Sequence, residues 1–146
     1  MNVKCVFACA LLSMLACLAG CASTLAPPEA DAIAKLMQPV EGKAVIYVFR
    51  NDPATAPKRI RLTLDGKAMG ETSVQTYFRW EVSAGQHIIV SYSRRWSELV
   101  IDAEPGRIYY VWQDVGFFDP TSELKLVDRD TAEINLRSCY LLQSES

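Results

Sequence analysis

The chain has 146 residues, half of them hydrophobic, with 15 Lys and Arg, 17 Asp and Glu, and a single His. That length fits one domain. The slightly acidic balance argues against a nucleic-acid binder, which carries a strongly basic face, and one His excludes a multi-His metal site.

Met1-Asn2-Val3-Lys4 forms a short positive start, and an apolar run follows from Cys5 to Leu18. The run is too short and wrongly flanked for a spanning helix, which needs about 20 residues. It ends in Leu18-Ala19-Gly20-Cys21, which resembles the lipobox of bacterial lipoprotein signal peptides. The resemblance implies that residues 1–20 are a signal peptide and that Cys21 becomes the first mature residue, carrying acyl chains such as palmitate. Each buried methylene contributes about 0.8 kcal/mol, and two chains suffice for stable anchoring. Ala22, and no Asp, follows the Cys, which resembles outer-membrane sorting. The expected address is the cell envelope, at the periplasmic face of the outer membrane. Cys5, Cys9 and Cys17 leave with the peptide, so Cys139 is the one unmodified thiol and no intramolecular disulfide is expected. Cys139 reads as a small buried hydrophobe. Only Lys4 is lost among the cations, which leaves 14 against 17 acids.

Residues 21–28 read as the lipidated Cys and a Pro-ended spacer that lifts the domain off the membrane. Residues 29–42 read as a short helix, Glu29 to Met37, and its connection, with Asp31 in the first turn and Pro39 after the end. The β-domain is expected over 43–146. Ala44 to Arg50 is a β-branched and aromatic run that fits a central strand. Asn51 to Pro57 is a loop. Arg59 to Leu64 alternates, with Ile60, Leu62 and Leu64 on one face, and Asp65-Gly66 predicts a type I′ hairpin into Lys67–Thr72. Further strands are expected at Tyr77–Val82, at His87–Ser93 with Ile88, Val90 and Tyr92 on one face, and at Glu98–Ala103. Arg107–Val115 and Leu124–Val127 complete the series. Asp130, with Glu133 three residues on, predicts a capped C-terminal helix carrying Ile134, Leu136, Leu141 and Leu142, closing one end of the core. The expected fold is mainly β: an antiparallel β-sandwich, immunoglobulin/prealbumin-like, of about seven or eight strands with two short flanking helices.

The order of motifs resembles an uncharacterised family of bacterial lipoproteins with a small β-domain of unknown function (DUF2846-like). They are Lys43–Arg50, the Leu-Asp-Gly-Lys hairpin at Leu64–Lys67, Tyr77–Trp80, the Gly-x-His turn at Gly85–His87, and Pro105–Tyr110. The two hairpins also resemble PEGA-type domains of bacterial surface proteins. Ala84 departs from the pattern, where many relatives have Pro. The resemblance implies a fold and a location, and no reaction.

Catalytic chemistry is not visible. No Gly-x-Ser-x-Gly elbow and no phosphate-cradling loop occur. His87 opens a strand beside a turn, where an imidazole can bond a backbone carbonyl. Asp114, Asp119, Asp128 and Asp130 fit no calcium loop and read as solvated turn residues. No cofactor and no metal are expected. Two surface candidates remain, Arg94-Arg95-Trp96 and the loop pair Phe117-Phe118, because aromatics with Arg dominate interfaces. The expected function is a non-enzymatic binding or structural accessory module, held to the membrane through Cys21, with an envelope protein or peptidoglycan as partner. The alternative is a carbohydrate- or peptidoglycan-binding module using Trp80, Trp96 or Trp112 as stacking platforms. A hydrolase using loop carboxylates ranks third. Buried tryptophans favour the first.

Overall fold

The computed structural model describes residues 23–52, 59–116 and 121–145. Among these it contains nine strands and two helices. The strands are β1 (Ala44–Arg50), β2 (Ile60–Leu64), β3 (Lys67–Thr72), β4 (Thr76–Val82), β5 (Gly85–Tyr92), β6 (Ser97–Ala103), β7 (Ile108–Val115), β8 (Ser122–Val127) and β9 (Tyr140–Leu141). The helices are α1 (Pro28–Ala34) and α2 (Arg129–Leu136).

The strands form a five-stranded sheet of order β8-β7-β1-β4-β9 and a four-stranded sheet of order β3-β2-β5-β6. The expectation of a purely antiparallel layout is corrected. β1 lies parallel to β7, and β9 parallel to β4, so the larger sheet is mixed. The cause is the chain's passage between sheets. β1 and β7 are separated by five strands and reach adjacent positions through crossings, so no hairpin dictates their polarity.

The central-strand reading of β1 holds, since all seven of its residues are buried. Ala44, Ile46 and Val48 join Leu62, Phe78, Ile89, Ile101 and Val111 in the core between the sheets. Val45, Tyr47 and Phe49 face the other way, into a second core with Ala34, Met37, Ala132, Leu136 and Cys139. A strand covered on both faces reads as a continuous apolar run rather than an alternation. The helices therefore cover one face of the five-stranded sheet. They do not close an end of the sandwich, as the sequence suggests for the C-terminal one.

Both helices are shorter than the sequence pattern. α1 stops at Ala34 because Leu36 and Met37 turn back with bonds to Ile33 and Ala34, and Met37 takes φ 49°. α2 is capped by Asp128, not Asp130. The Asp128 carboxylate accepts the Thr131 N–H at 2.8 Å and the Thr131 hydroxyl at 2.9 Å. Ile134 is 67% exposed, while Ala132 and Leu136 are buried. Leu141 and Leu142 lie beyond the helix. Leu141 ends β9, and Leu142 packs into the core between the sheets.

The Asp65-Gly66 hairpin is as predicted, with φ 52° and 78° at the two positions. The stretch read as a spacer runs differently from a free tether. The Ala26 N–H donates to Leu141 O at 2.8 Å, and the Gln143 N–H donates to Thr24 O at 2.9 Å. The Ser23 hydroxyl accepts the Glu71 N–H at 2.6 Å. Residues 23–26 are thus laid against the C-terminal strand and clipped to β3. Gly70 permits this approach, because a Cβ there would collide with the Ser23 hydroxyl and the Phe78 ring, and its φ of 126° is open only to glycine.

Candidate interaction surface

One face of each sheet is internal, and the helices cover the outer face of the five-stranded sheet. No described helix covers the outer face of the four-stranded sheet, though Thr63 and Val90 at its centre are buried. Its strand pairing sets the residues that share each row. Glu71 stands opposite Arg61 and Arg61 opposite Tyr92. Thr63 faces Val90, Val90 faces Glu98, and Ile88 faces Val100. The inward set of β5 is His87, Ile89 and Ser91, and the outward set is Ile88, Val90 and Tyr92. The apolar alternation read from the sequence for this strand therefore lies on its outside. Ile88 and Tyr92 are each 37% exposed, Val100 43% and Trp96 72%.

Arg94, Arg95 and Trp96 are all exposed, on the turn from β5 to β6. The turn is braced from below. The Ser93 hydroxyl donates to the Arg95 carbonyl and accepts the Ser122 N–H at 2.9 Å, and the Ser97 hydroxyl accepts the Leu124 N–H at 3.0 Å. The Arg61 guanidinium stacks over the Tyr92 ring at 4.8 Å from its centroid. The structure thus joins the sequence-predicted Arg94-Arg95-Trp96 turn to Arg61, Tyr92, Ile88 and Val100. Phe117, Phe118 and the predicted lipidation site Cys21 lie outside the described residues, as does Asp119.

Of the other two tryptophans one is buried and one partly buried. Trp80 is buried and donates its Nε1–H to the Ser144 hydroxyl at 3.0 Å. Trp112 stacks on Phe49, with ring centroids 6.3 Å apart.

His87 is committed on both nitrogens. Nδ1 lies 2.6 Å from the Asp65 carboxylate and Nε2 lies 2.9 Å from Ser83 O, the backbone carbonyl contact that the sequence suggests. Burial alone would depress its pKa, but the bonds to Asp65 and Ser83 outweigh it and hold the imidazole above its ordinary value. Asp65 also accepts the Ile88 N–H at 2.8 Å, and its carboxyl lies below the usual range. Burial opposes that shift, and the Ile88 and His87 bonds overcome it. Cys139 is fully buried, and burial pushes its thiol pKa up to about 12, so it is protonated at neutral pH. Asp114 pairs with Lys125 at 2.9 Å, and Asp128 is the α2 cap. Among the described residues no cluster of three metal-ligating side chains occurs.

Two buried polar groupings escaped the sequence reading. Arg50 and Asp52 form a two-pronged buried ion pair, at 2.6 and 2.9 Å, where β1 enters its loop. Gln113 sits inside the sandwich, accepting the Thr72 hydroxyl and donating to the Ser91 hydroxyl at 2.8 Å. Ser91 in turn lies 2.7 Å from the Ser122 hydroxyl. The signal for the second was present, since Gln113 stands in the inward register of Tyr109, Val111 and Val115. A groove of 470 Å³ also runs between α1 and β9, past Ile33, Leu36, Val40 and the Arg79–Glu81 ion pair.

A scan against protein-family models and a search of curated proteins find no match to this chain.

Proposed function

We propose that this protein is a lipid-anchored lipoprotein of the bacterial cell envelope, acting as a non-enzymatic binding or structural module at the periplasmic face of the outer membrane. The observation that carries the reading is the Leu18-Ala19-Gly20-Cys21 sequence, which stands two residues before Ser23, whose hydroxyl is bonded to the β-domain. Motif order from Lys43 to Tyr110 supports membership of the DUF2846-like lipoprotein group. The chain's alternation between sheets after β1, β3, β4 and β6 supports an immunoglobulin/prealbumin-like sandwich.

The non-catalytic part of the reading rests on how the reactive side chains are used. His87 is engaged on both nitrogens, Cys139 is buried and protonated, and Asp114 and Asp128 are occupied by a salt bridge and a cap. A sugar-stacking platform needs exposed aromatics, and of the three candidate tryptophans Trp80 is buried and Trp112 is partly buried against Phe49.

The test is intact-mass analysis of the membrane fraction, with cross-linked affinity capture from the same cells. A mature chain starting at an acylated Cys21, recovered with a defined envelope complex, supports the proposal. An unmodified Cys21, or a cytosolic product keeping residues 1–20, overturns the anchoring. Retention only on purified peptidoglycan replaces the protein-partner reading with the sugar-binding one.

A further inference from the structure

We infer that the loop end of the four-stranded sheet's outer face, carried by Arg61, Tyr92, Arg95 and Trp96, meets the bilayer to which Cys21 is anchored, so that the domain lies on the membrane in one orientation. This rests on the anchoring reading above and adds to it the surface that touches lipid.

The tether position comes first. Ser23 is held by Glu71 of β3, the edge strand of this sheet. Cys21 is two residues further in sequence, and a chain spans at most about 3.6 Å per residue, so its Cα can lie no more than about 7 Å from that of Ser23. The pairing places Glu71, Arg61 and Tyr92 in one row across β3, β2 and β5, and the turn carrying Trp96 leads on from β5 to β6. Three strand spacings of about 4.8 Å separate β3 from β6, so Trp96 lies about 14 Å from the tethered edge. An anchor so short keeps this edge near the membrane, with the face beside it in reach.

The chemistry of the face comes second. The outward set of β5 is more apolar than its inward set, which includes His87 and Ser91. That inverts the usual pattern of a sheet with one wet face. The row nearest the tether holds Tyr92 and the loop holds Trp96, the two side-chain types that settle at the headgroup level of bilayers. Arg61, stacked on Tyr92, and Arg95 supply the positive charge that anionic headgroups attract. The acids of this face are Glu71, opposite Arg61 on β3, and Glu98 and Asp102 on β6, with Asp102 toward the opposite end of the sheet. Against Glu71 and Glu98 the loop end carries Arg61, Arg94 and Arg95, so its formal balance stays positive.

The experiment uses the full chain, acylated in bacterial membranes and reconstituted in phosphatidylethanolamine vesicles with or without phosphatidylglycerol. An environment-sensitive fluorophore is attached at Trp96→Cys or, as the control on the helical side, at Ile134→Cys. Cys139 is buried and acylated Cys21 is blocked, so the label is selective. The proposal expects a blue shift and loss of aqueous quenching at position 96, larger with phosphatidylglycerol, and neither at position 134. Arg61→Gln with Arg95→Gln should reduce the phosphatidylglycerol effect while the circular dichroism spectrum stays unchanged. Acylated protein with an aqueous label at position 96 overturns the proposal and leaves the anchoring intact. Protection at position 96 that depends on protein concentration in detergent assigns the face to a second copy and overturns it equally. A mature chain whose mass shows no acyl group removes the anchoring reading and this inference with it.

Discussion

At the scale of single residues, polar side chains at strand ends fix this fold's turns, and His87 is the most sensitive of them. It donates to the Asp65 carboxylate and to Ser83 O, which needs a proton on each ring nitrogen. Only the imidazolium satisfies both, while a neutral tautomer keeps one. The folded pKa therefore lies above the unfolded value of about 6.5. The stabilisation is complete below the unfolded pKa and is lost as pH rises through the folded one. Asp65 behaves oppositely. Its carboxyl is depressed, so its contribution is present above the unfolded value and is lost as pH falls through the folded one. The denaturant midpoint should thus fall as pH is raised from slightly acid to slightly alkaline, and His87→Gln should abolish that slope while lowering stability by about 1–2 kcal/mol. An unchanged slope in the variant would show that another group titrates. The sequence hinted at His87's carbonyl bond because a His beside a turn has few other uses. It could not reveal the Asp65 partner, which is a spatial neighbour 22 positions away. Arg50 shows the same limit. A cation closing an apolar run looks like a solvated strand end, and only the fold shows Asp52 folded back to pair with it inside the protein.

At the scale of elements, the eight longer strands were legible because period-two alternation and turn residues coincide at nearly every boundary. The exceptions have physical causes. β9 is two residues long, too short for any periodic pattern, and it exists because β4 offers an open edge. The face of β5 was ambiguous because both of its sets contain apolar residues, and alternation identifies two faces without saying which is wet. For α2, Asp128 and Asp130 are both plausible caps, and the register is decided by Thr131, whose N–H and hydroxyl both reach Asp128. Asp128→Ala should lower the thermal midpoint measurably, and Asp130→Ala should be close to neutral. Equal losses would place the helix start elsewhere. The N-terminal strap makes four hydrogen bonds: three from Ala26, Gln143 and Glu71 backbone N–H groups, and one between the Thr24 and Gln143 side chains. At about 1 kcal/mol each, a chain beginning at Pro27 should lose roughly 3–4 kcal/mol relative to one beginning at Ser23, measured by chemical denaturation. A difference near zero would mean the strap is tied too loosely to orient an anchor.

At the scale of the whole molecule, the proposed anchoring assigns folding and membrane attachment to separate parts of the chain. Among the described residues, the core between the sheets and the core beneath the helices draw on residues from Ala34 to Leu142. Membrane retention is assigned to acyl chains on one cysteine, where two chains give stable binding and a protein surface alone gives weak, reversible contact. Changing Cys21 to Ser should therefore leave the thermal midpoint of the exported, processed domain unchanged and transfer it from the membrane pellet to the soluble periplasmic fraction. The aromatic and basic face would still touch lipid, but without the anchor its contact should be released by moderate salt, because Arg–headgroup attraction is screened within about 10 Å at 0.1 M. If the Ser variant stays in the pellet at high salt, retention comes from a protein partner or from the surface itself, and the cysteine is not the anchor. If it is lost because it no longer folds, the strap and its flanking residues belong to the core, and the separation of the two roles fails.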